Sequence, residues 1–142
     1  MSTNVLARLS DEHDTLLPLI VEIQAAAEAQ DKDILITKLI NGRTALTNEL
    51  DAHIALEEDV AFYIIGQAIG EEIVTPFRTE HTEIRALRDE VLAQADSGDA
   101  PFSLCLQLCD LIQSHMQRED MMLFPSARDA LDAEPLDITQ VP

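Results

Sequence analysis

The sequence predicts an all-α protein, an antiparallel up-down four-helix bundle with a short C-terminal extension. Three observations carry that expectation. Aromatics are 4 % of the chain, there is no Trp, and Leu, Ala, Ile and Glu are abundant, a balance that favours helix over sheet. Apolar residues recur at three- and four-residue steps through four segments, the period of one helix face. The links between those segments are short, and short links between long helices favour antiparallel neighbours. With 142 residues, 46 % of them apolar, the chain can bury one real core.

The first segment runs from about Asn4 to Ala29, with Leu6, Leu9, His13, Leu16, Leu17, Ile20 and Ile23 on one face. Pro18 removes a backbone donor there, which predicts a kink or a helix in two pieces. "DKD" at 31–33 reads as a turn with an N-cap. The second helix spans about Ile34 to Ala68, along Leu39, Leu46, Leu50, His53, Glu57, Val60 and Ile64. Gly42 weakens it, and Gly70 suits a C-cap. The third helix starts near Glu71 or after Thr75, with Pro76 suited to a first turn. Its apolar side is Phe77, His81, Ile84, Leu87, Val91 and Leu92. "ADSGDAP" at 95–101 is the clearest loop. The fourth helix carries Leu104, Leu108, Leu111, His115, Glu119 and Met122, and Pro125 ends or bends it. Residues 1–125 thus form the bundle. Residues 126–142 read as a short helix over "ARDALDA" and a tail.

The formal net charge is −18, from 9 basic and 27 acidic residues. Such a surface repels phosphate backbones and anionic lipid, which argues against nucleic-acid and membrane partners. "MSTNVLARLS" lacks the basic start and apolar run of a signal peptide, and no apolar run is long enough to span a bilayer. A cytoplasmic protein is the expectation. Cys105 and Cys109 lie four apart in a helical pattern and read as small buried hydrophobes rather than a redox pair.

Two stretches repeat one polar pattern. "HIALEEDVAF" covers 53–62 and "HMQREDMMLF" covers 115–124. Each reads His, three residues, Glu, an acid, and Phe at the tenth place. "EH" occurs at 12–13 and again at 80–81. All four histidines, His13, His53, His81 and His115, are thereby placed, one per helix, on or beside the apolar face. Glu57 and Glu119 follow His53 and His115 by one helical turn, so each pair shares a face. Buried imidazoles and facing carboxylates are expensive unless a cation compensates them. Nitrogen with carboxylate donors suits iron, manganese or zinc, whereas calcium wants oxygen. Six such side chains, two of them placed to bridge, suggest two metal ions. Glu58, Asp59 and Asp120 read as solvated surface, so that Glu58→Ala should leave metal binding intact. Tyr63, Met116, Met121 and Met122 read as packing and flank residues.

In combination these motifs resemble the hemerythrin-like, or HHE cation-binding, family. The resemblance rests on His13, on His53 to Phe62, on His81 and on His115 to Pro125, and spans residues 5–125. It implies a non-haem di-iron site at the centre of the bundle. His13 and His53 would hold one iron, His81 and His115 the other, and Glu57 and Glu119 would bridge them beside an oxygen atom. Zinc or manganese would be substitutes. The oxygen carriers of that family have another His one turn after the third-helix His, where this chain has Arg85. Glu49, one turn before His53, is the substitute on spacing, against a role on the helix surface.

The function expected is a non-haem di-iron protein that binds or senses dioxygen, peroxide or nitric oxide. The alternatives are an enzyme turning over peroxide or nitric oxide, an iron storage or homeostasis protein, and a bundle whose polar residues are structural. Self-association into a homo-oligomer is compatible with the sequence. A guanidinium cannot ligate a metal, so Arg85 should turn aside, towards a carboxylate such as Glu49. The ferrous protein should then oxidise in air without a long-lived oxygen complex, and Arg85→His should slow that oxidation in stopped flow. A stable, reversible oxygen complex in the unmutated protein would refute this.

Overall fold

A computed structural model describes residues 4–133. Among these residues there is no strand, and the chain is helical except at short links. It forms a helical bundle of four runs. The first is α1 (Asn4–Glu28). The second contains α2 (Lys32–Asn41), α3 (Leu50–Leu56) and α4 (Phe62–Ile69). The third is α5 (Glu71–Asp96). The fourth contains α6 (Phe102–Arg118) and α7 (Phe124–Ala133). In the second run α2 ends at Gly42, a single turn residue with φ −89 and ψ 3, where the sequence expected weakness; from Arg43 onward, and throughout the fourth run, the helix is continuous. It widens into turns bonded i to i+5, at Ala45–Glu49, Glu57–Ala61 and Glu119–Leu123.

The links follow local chemistry. After α1, Gln30 takes φ 52 and the Asp31 N–H bonds the Ala26 carbonyl at 3.1 Å, which stops the helix. The Asp31 carboxylate then accepts from the Ile34 N–H at 3.2 Å and starts α2, the turn expected of "DKD". One residue, Gly70, separates α4 from α5. Between α5 and α6, Gly98 has φ 83 and Asp99 N–H bonds the Gln94 carbonyl at 3.0 Å.

Three prolines lie within helices. α1 passes through Pro18 as one helix, not two. α5 begins at Glu71, so Pro76 lies beyond its first turn. Pro125 does not end the fourth helix; it follows the widened turn Glu119–Leu123 directly, at the second position of α7. The "ARDALDA" segment is helical as part of α7, and the tail beyond residue 133 lies outside the described residues.

α1 packs against α6 and α2, and α5 packs against α6, α4 and α2. The core is in two parts. One cluster holds Ile20, Ile23, Leu35, Leu39, Leu46, Ile54, Ile84, Val91, Leu108 and Ile112. The other holds Leu6, Leu9, Phe62, Ile65, Phe77, Leu123, Phe124 and Leu131. Five of the six buried polar residues, His13, Glu57, His81, His115 and Glu119, lie where the two clusters meet; the sixth, Arg88, is buried beside the first cluster. The bundle therefore has an apolar half, a polar layer, and a second apolar half.

The widened turns shift which residues face inward. Met122, expected on the apolar face, is 66 % exposed, and Leu123 and Phe124 take the interior instead. Leu17 is also largely exposed. Cys105 and Cys109 are free and buried, and burial pushes their thiols up to about 11 and about 12, which makes them inert.

Gly70 tests the tightest link. Its φ of 117 and ψ of 134 suit glycine alone. Gly70→Ala should lower the unfolding free energy by about 1–3 kcal/mol. The urea midpoint should fall at unchanged slope, and an unmoved midpoint would contradict the strain assigned to this link.

Candidate metal centre

The four imidazoles meet in the polar layer through their Nε2 atoms. His13 Nε2 lies 3.1 Å from His53 Nε2, and His81 Nε2 lies 3.1 Å from His115 Nε2. Glu57 Oε1 lies 3.0 Å from His81 Nε2 and 3.4 Å from His53 Nε2. Glu119 Oε1 lies 3.1 Å from His13 Nε2, and its Oε2 lies 3.4 Å from His115 Nε2. Two groups of donor atoms result, each within 4.8 Å: His13, His53, Glu57 and Glu119, and then His81, His115, Glu57 and Glu119. Both glutamates belong to both groups and are fully buried. All six residues singled out from spacing are thus brought together.

The opposite ring nitrogens complete a pattern the sequence did not disclose. Glu12 accepts from His53 Nδ1 at 2.8 Å, and Glu58 from His81 Nδ1 at 2.9 Å. Glu80 accepts from His115 Nδ1 at 2.8 Å, and Asp120 from His13 Nδ1 at 2.9 Å. Each run gives a carboxylate to the histidine of the next, and the fourth gives one back to the first. An ionised carboxylate only accepts, so the proton of each neutral ring sits on Nδ1. The Nε2 lone pair is then fixed inward, as metal-binding imidazoles require.

This explains the repeated motif position by position. In the first copy His53 and Glu57 point inward, Glu58 orients His81, and Phe62 stacks on that same ring at 5.4 Å and 11°. In the second copy His115 and Glu119 point inward, Asp120 orients His13, and Phe124 stacks on it at 6.1 Å and 10°. The widened turn opens at the inward glutamate in both copies, and the Phe62 and Phe124 N–H groups bond the carbonyls of Glu57 and Glu119. Residues five apart along it therefore stand near one another, which brings glutamate and phenylalanine to one face. Glu58 and Asp120 are neither donors to the inner groups nor merely solvated, which corrects the surface reading. Asp59 is exposed, as expected. Ser10 Oγ donates to Asp120 at 2.7 Å, and Arg118 donates to Glu80 at 2.6 Å.

The electrostatics of the protein without metal show the strain of this layer. Burial alone would lower the histidine pKa values. Glu119 and Asp120 outweigh it at His13, raising it to about 8. Glu119 and Glu57 do so at His115, raising it to about 10. Burial pushes both glutamates up. The charge of Glu57 keeps Glu119 up, while hydrogen bonds from Glu119 and the surrounding imidazoles hold Glu57 well below its ordinary range.

The donors fit a metal. In their neutral form, paired Nε2 lone pairs 3.1 Å apart repel, and neither can donate to the other. Glu57 Oε2 and both oxygens of Glu119 have no donor in hydrogen-bonding geometry, although imidazole nitrogens lie close to Glu119. Orphaned buried carboxylate oxygens cost several kcal/mol as a rough scale. Protons on the imidazoles relieve part of this, and cations shared by both carboxylates relieve all of it.

A cavity of about 300 Å³ reaches this layer. Its lining includes Arg8, Glu12, Thr15, Glu49 and Ala52 at the surface, Leu16, Leu50, Ile84, Ile112 and Met116 along the walls, and Glu57 with the four histidines within. Glu49 is exposed and is not in either donor group, and Arg85 makes no ion pair among the described residues, with Glu49 or otherwise. The arginine that sequence reasoning missed is Arg88, 5 % exposed, which binds Asp51, Asp89 and the Leu46 carbonyl. Its place one turn after Ile84 was the available signal. Tyr63 is half-buried against the second core cluster, as packing predicts. No helix among the described residues is long and apolar enough to cross a membrane.

No family model matches the sequence, and no solved structure matches it. Curated proteins do. The chain is similar to the iron-sulfur cluster repair protein YtfE of Pectobacterium atrosepticum, at 29 % identity over 138 residues, covering 87 % of this chain and 62 % of that protein. The YtfE protein of Pectobacterium carotovorum subsp. carotovorum gives the same values. That of Salmonella paratyphi B is 26 % identical over 140 residues, covering 87 % and 63 %. The chain spans less than two thirds of the length of these relatives.

The carboxylate ring makes a prediction that reverses the surface reading. Glu58→Ala and Asp120→Ala should each weaken zinc binding by about 10–100-fold, because each frees a histidine ring. Asp59→Ala should not change it. Competition titration with a chromogenic chelator measures this, and equal affinities for Glu58→Ala and Asp59→Ala would rule the ring out as a determinant.

Proposed function

We propose that the chain is a hemerythrin-like, antiparallel up-down four-helix bundle holding a non-haem di-metal centre, natively two iron ions. In this reading it binds or senses dioxygen, peroxide or nitric oxide there. The antiparallel order is supported by the cross-links between runs, whose partner numbers fall as residue numbers rise: Glu12 with His53 and Glu22 with Lys38, then Arg43 with Asp96 and Glu58 with Arg78, then His13 with Asp120 and Gln24 with Asp110.

The observation that carries the function is the pair of acceptor clusters sharing two buried carboxylates. His13 and His53 would hold one ion, His81 and His115 the other, and Glu57 and Glu119 would bridge. Iron there would supply one-electron chemistry and a place for a small ligand. The protein's own part is to fix the Nε2 lone pairs through Glu12, Glu58, Glu80 and Asp120, and to keep the layer between apolar walls that limit water. A second reading, iron homeostasis, is favoured by the name of the relatives, which assigns iron-sulfur cluster repair to those longer proteins.

Loading the protein with ferrous iron without air should give two ions per chain by elemental analysis; one or fewer would refute the di-metal centre. Loading should raise the melting temperature. Glu57→Ala and Glu119→Ala should each lose metal.

The pH dependence has opposite signs with and without metal. In the metal-free chain, folded pKa values of about 8 for His13 and about 10 for His115 exceed the ordinary 6.5. Their stabilisation is present below about pH 6.5 and lost as pH rises through those values. Urea midpoints of the metal-free protein should therefore fall from about pH 6 to about pH 9. A cation displaces the same protons, so loading at neutral pH should release protons into an indicator dye, and affinity should rise with pH.

A further inference from the structure

We propose that the two metal positions exchange with solvent unequally. The ion held by His13 and His53 loads and leaves through the cavity between α1 and the second run. The ion held by His81 and His115 lies deeper along the same path and leaves more slowly. This rests on the di-metal reading above and concerns access, which that reading leaves open.

Four observations converge. First, the surface residues of the cavity, Arg8, Glu12, Thr15, Glu49 and Ala52, all belong to α1 and the second run. Those are the runs that carry His13 and His53. His81 and His115 also line this cavity but stand on the opposite pair, α5 and α6, away from the residues at its mouth.

Second, exposure singles out His53. The His53 side chain is 11 % exposed, against 3 % for His13, 1 % for His81 and 4 % for His115, so His53 is the solvent-facing ligand of the four. A second cavity, of about 330 Å³, touches His13 and Asp120 from the α1 and α6 side. The main cavity touches both pairs, and the second touches the first pair through His13.

Third, Glu57 lines the main cavity, is fully buried and has an unpartnered Oε2. A cation descending from the mouth meets Glu57. Glu12 and Glu49 at the mouth favour cations, while Arg8 is engaged with Glu12 at 3.2 Å.

Fourth, the second pair is doubly covered. Phe62 stacks on His81, and the Arg78 guanidinium lies 5.4 Å over Phe62. Phe77 meets His115 edge-on at 5.4 Å, and Arg118 lies 5.5 Å over Phe77. Arg118 also holds Glu80, the carboxylate that orients His115. His13 has Phe124, over which no cation lies among the described residues, and His53 lines the cavity. Donor count does not distinguish the two positions, because each has two imidazoles and shares both glutamates, so a difference in release rate reports on access.

The test uses zinc-loaded protein and excess 4-(2-pyridylazo)resorcinol in stopped flow, after elemental analysis has counted the zinc. Two phases are expected, one zinc each, with rates separated by about tenfold or more. His53→Ala should lose the fast phase and keep a slow zinc. Arg118→Met, a change at a partly exposed residue that ligates nothing, should speed the slow phase several-fold and leave the fast one unchanged, with helical circular dichroism intact. A single phase releasing both ions, or a fast phase surviving in His53→Ala, would overturn the proposal while leaving the di-metal centre standing. Fewer than two zinc ions in the unmutated protein would overturn both.

Discussion

Everything in this bundle answers to one constraint. Two carboxylates and four imidazoles are buried between two apolar halves of a core, where charge and unmatched lone pairs are expensive. Each inner nitrogen is held by an outer carboxylate, each pair of inner nitrogens shares the same two glutamates, and phenylalanines cover three of the rings. Removal of any one of these partners leaves a buried group uncompensated, which is why the layer acts as a unit rather than as six separate residues.

The backbone is shaped to the same end. A regular α-helix sets a face every three or four residues. The widened turns at Glu57–Ala61 and Glu119–Leu123 add one residue where the inward glutamate must be followed by an inward phenylalanine. The third such turn, Ala45–Glu49, lies one turn before His53, and buried Arg88 reaches across from α5 to the Leu46 carbonyl within it. Arg88 is held in turn by Asp51 on α3. A buried, paired guanidinium fixes that run against α5, and so steadies the approach to the first histidine pair.

The helices and the six inner residues were legible because both depend on short spacing. His53 with Glu57 and His115 with Glu119 are one turn apart, and periodicity places them. The orienting acids were not legible. Glu58 answers to His81 on another run, and Asp120 to His13 at the far end of the chain, so neither partner appears within any local window. The widened turns left no signal in composition, and a strict helical period therefore put Met122 inside where Leu123 belongs. The role of "EH" was visible only in half: the histidine was read as an inner residue, while Glu12 and Glu80 were passed over because they serve the next helix.

The circular hand-off of carboxylates has a consequence for symmetry. Glu12 to His53 closes within the first half of the chain, and Glu80 to His115 within the second. The other two bonds, Glu58 to His81 and Asp120 to His13, cross between halves and are equivalent to each other. Each half thus offers one acid and one imidazole outward, in matching positions. Two identical hairpins, meeting face to face about a two-fold axis, would satisfy all four bonds and supply both shared glutamates. In its chemistry the single chain writes one hairpin twice, each copy completing the other.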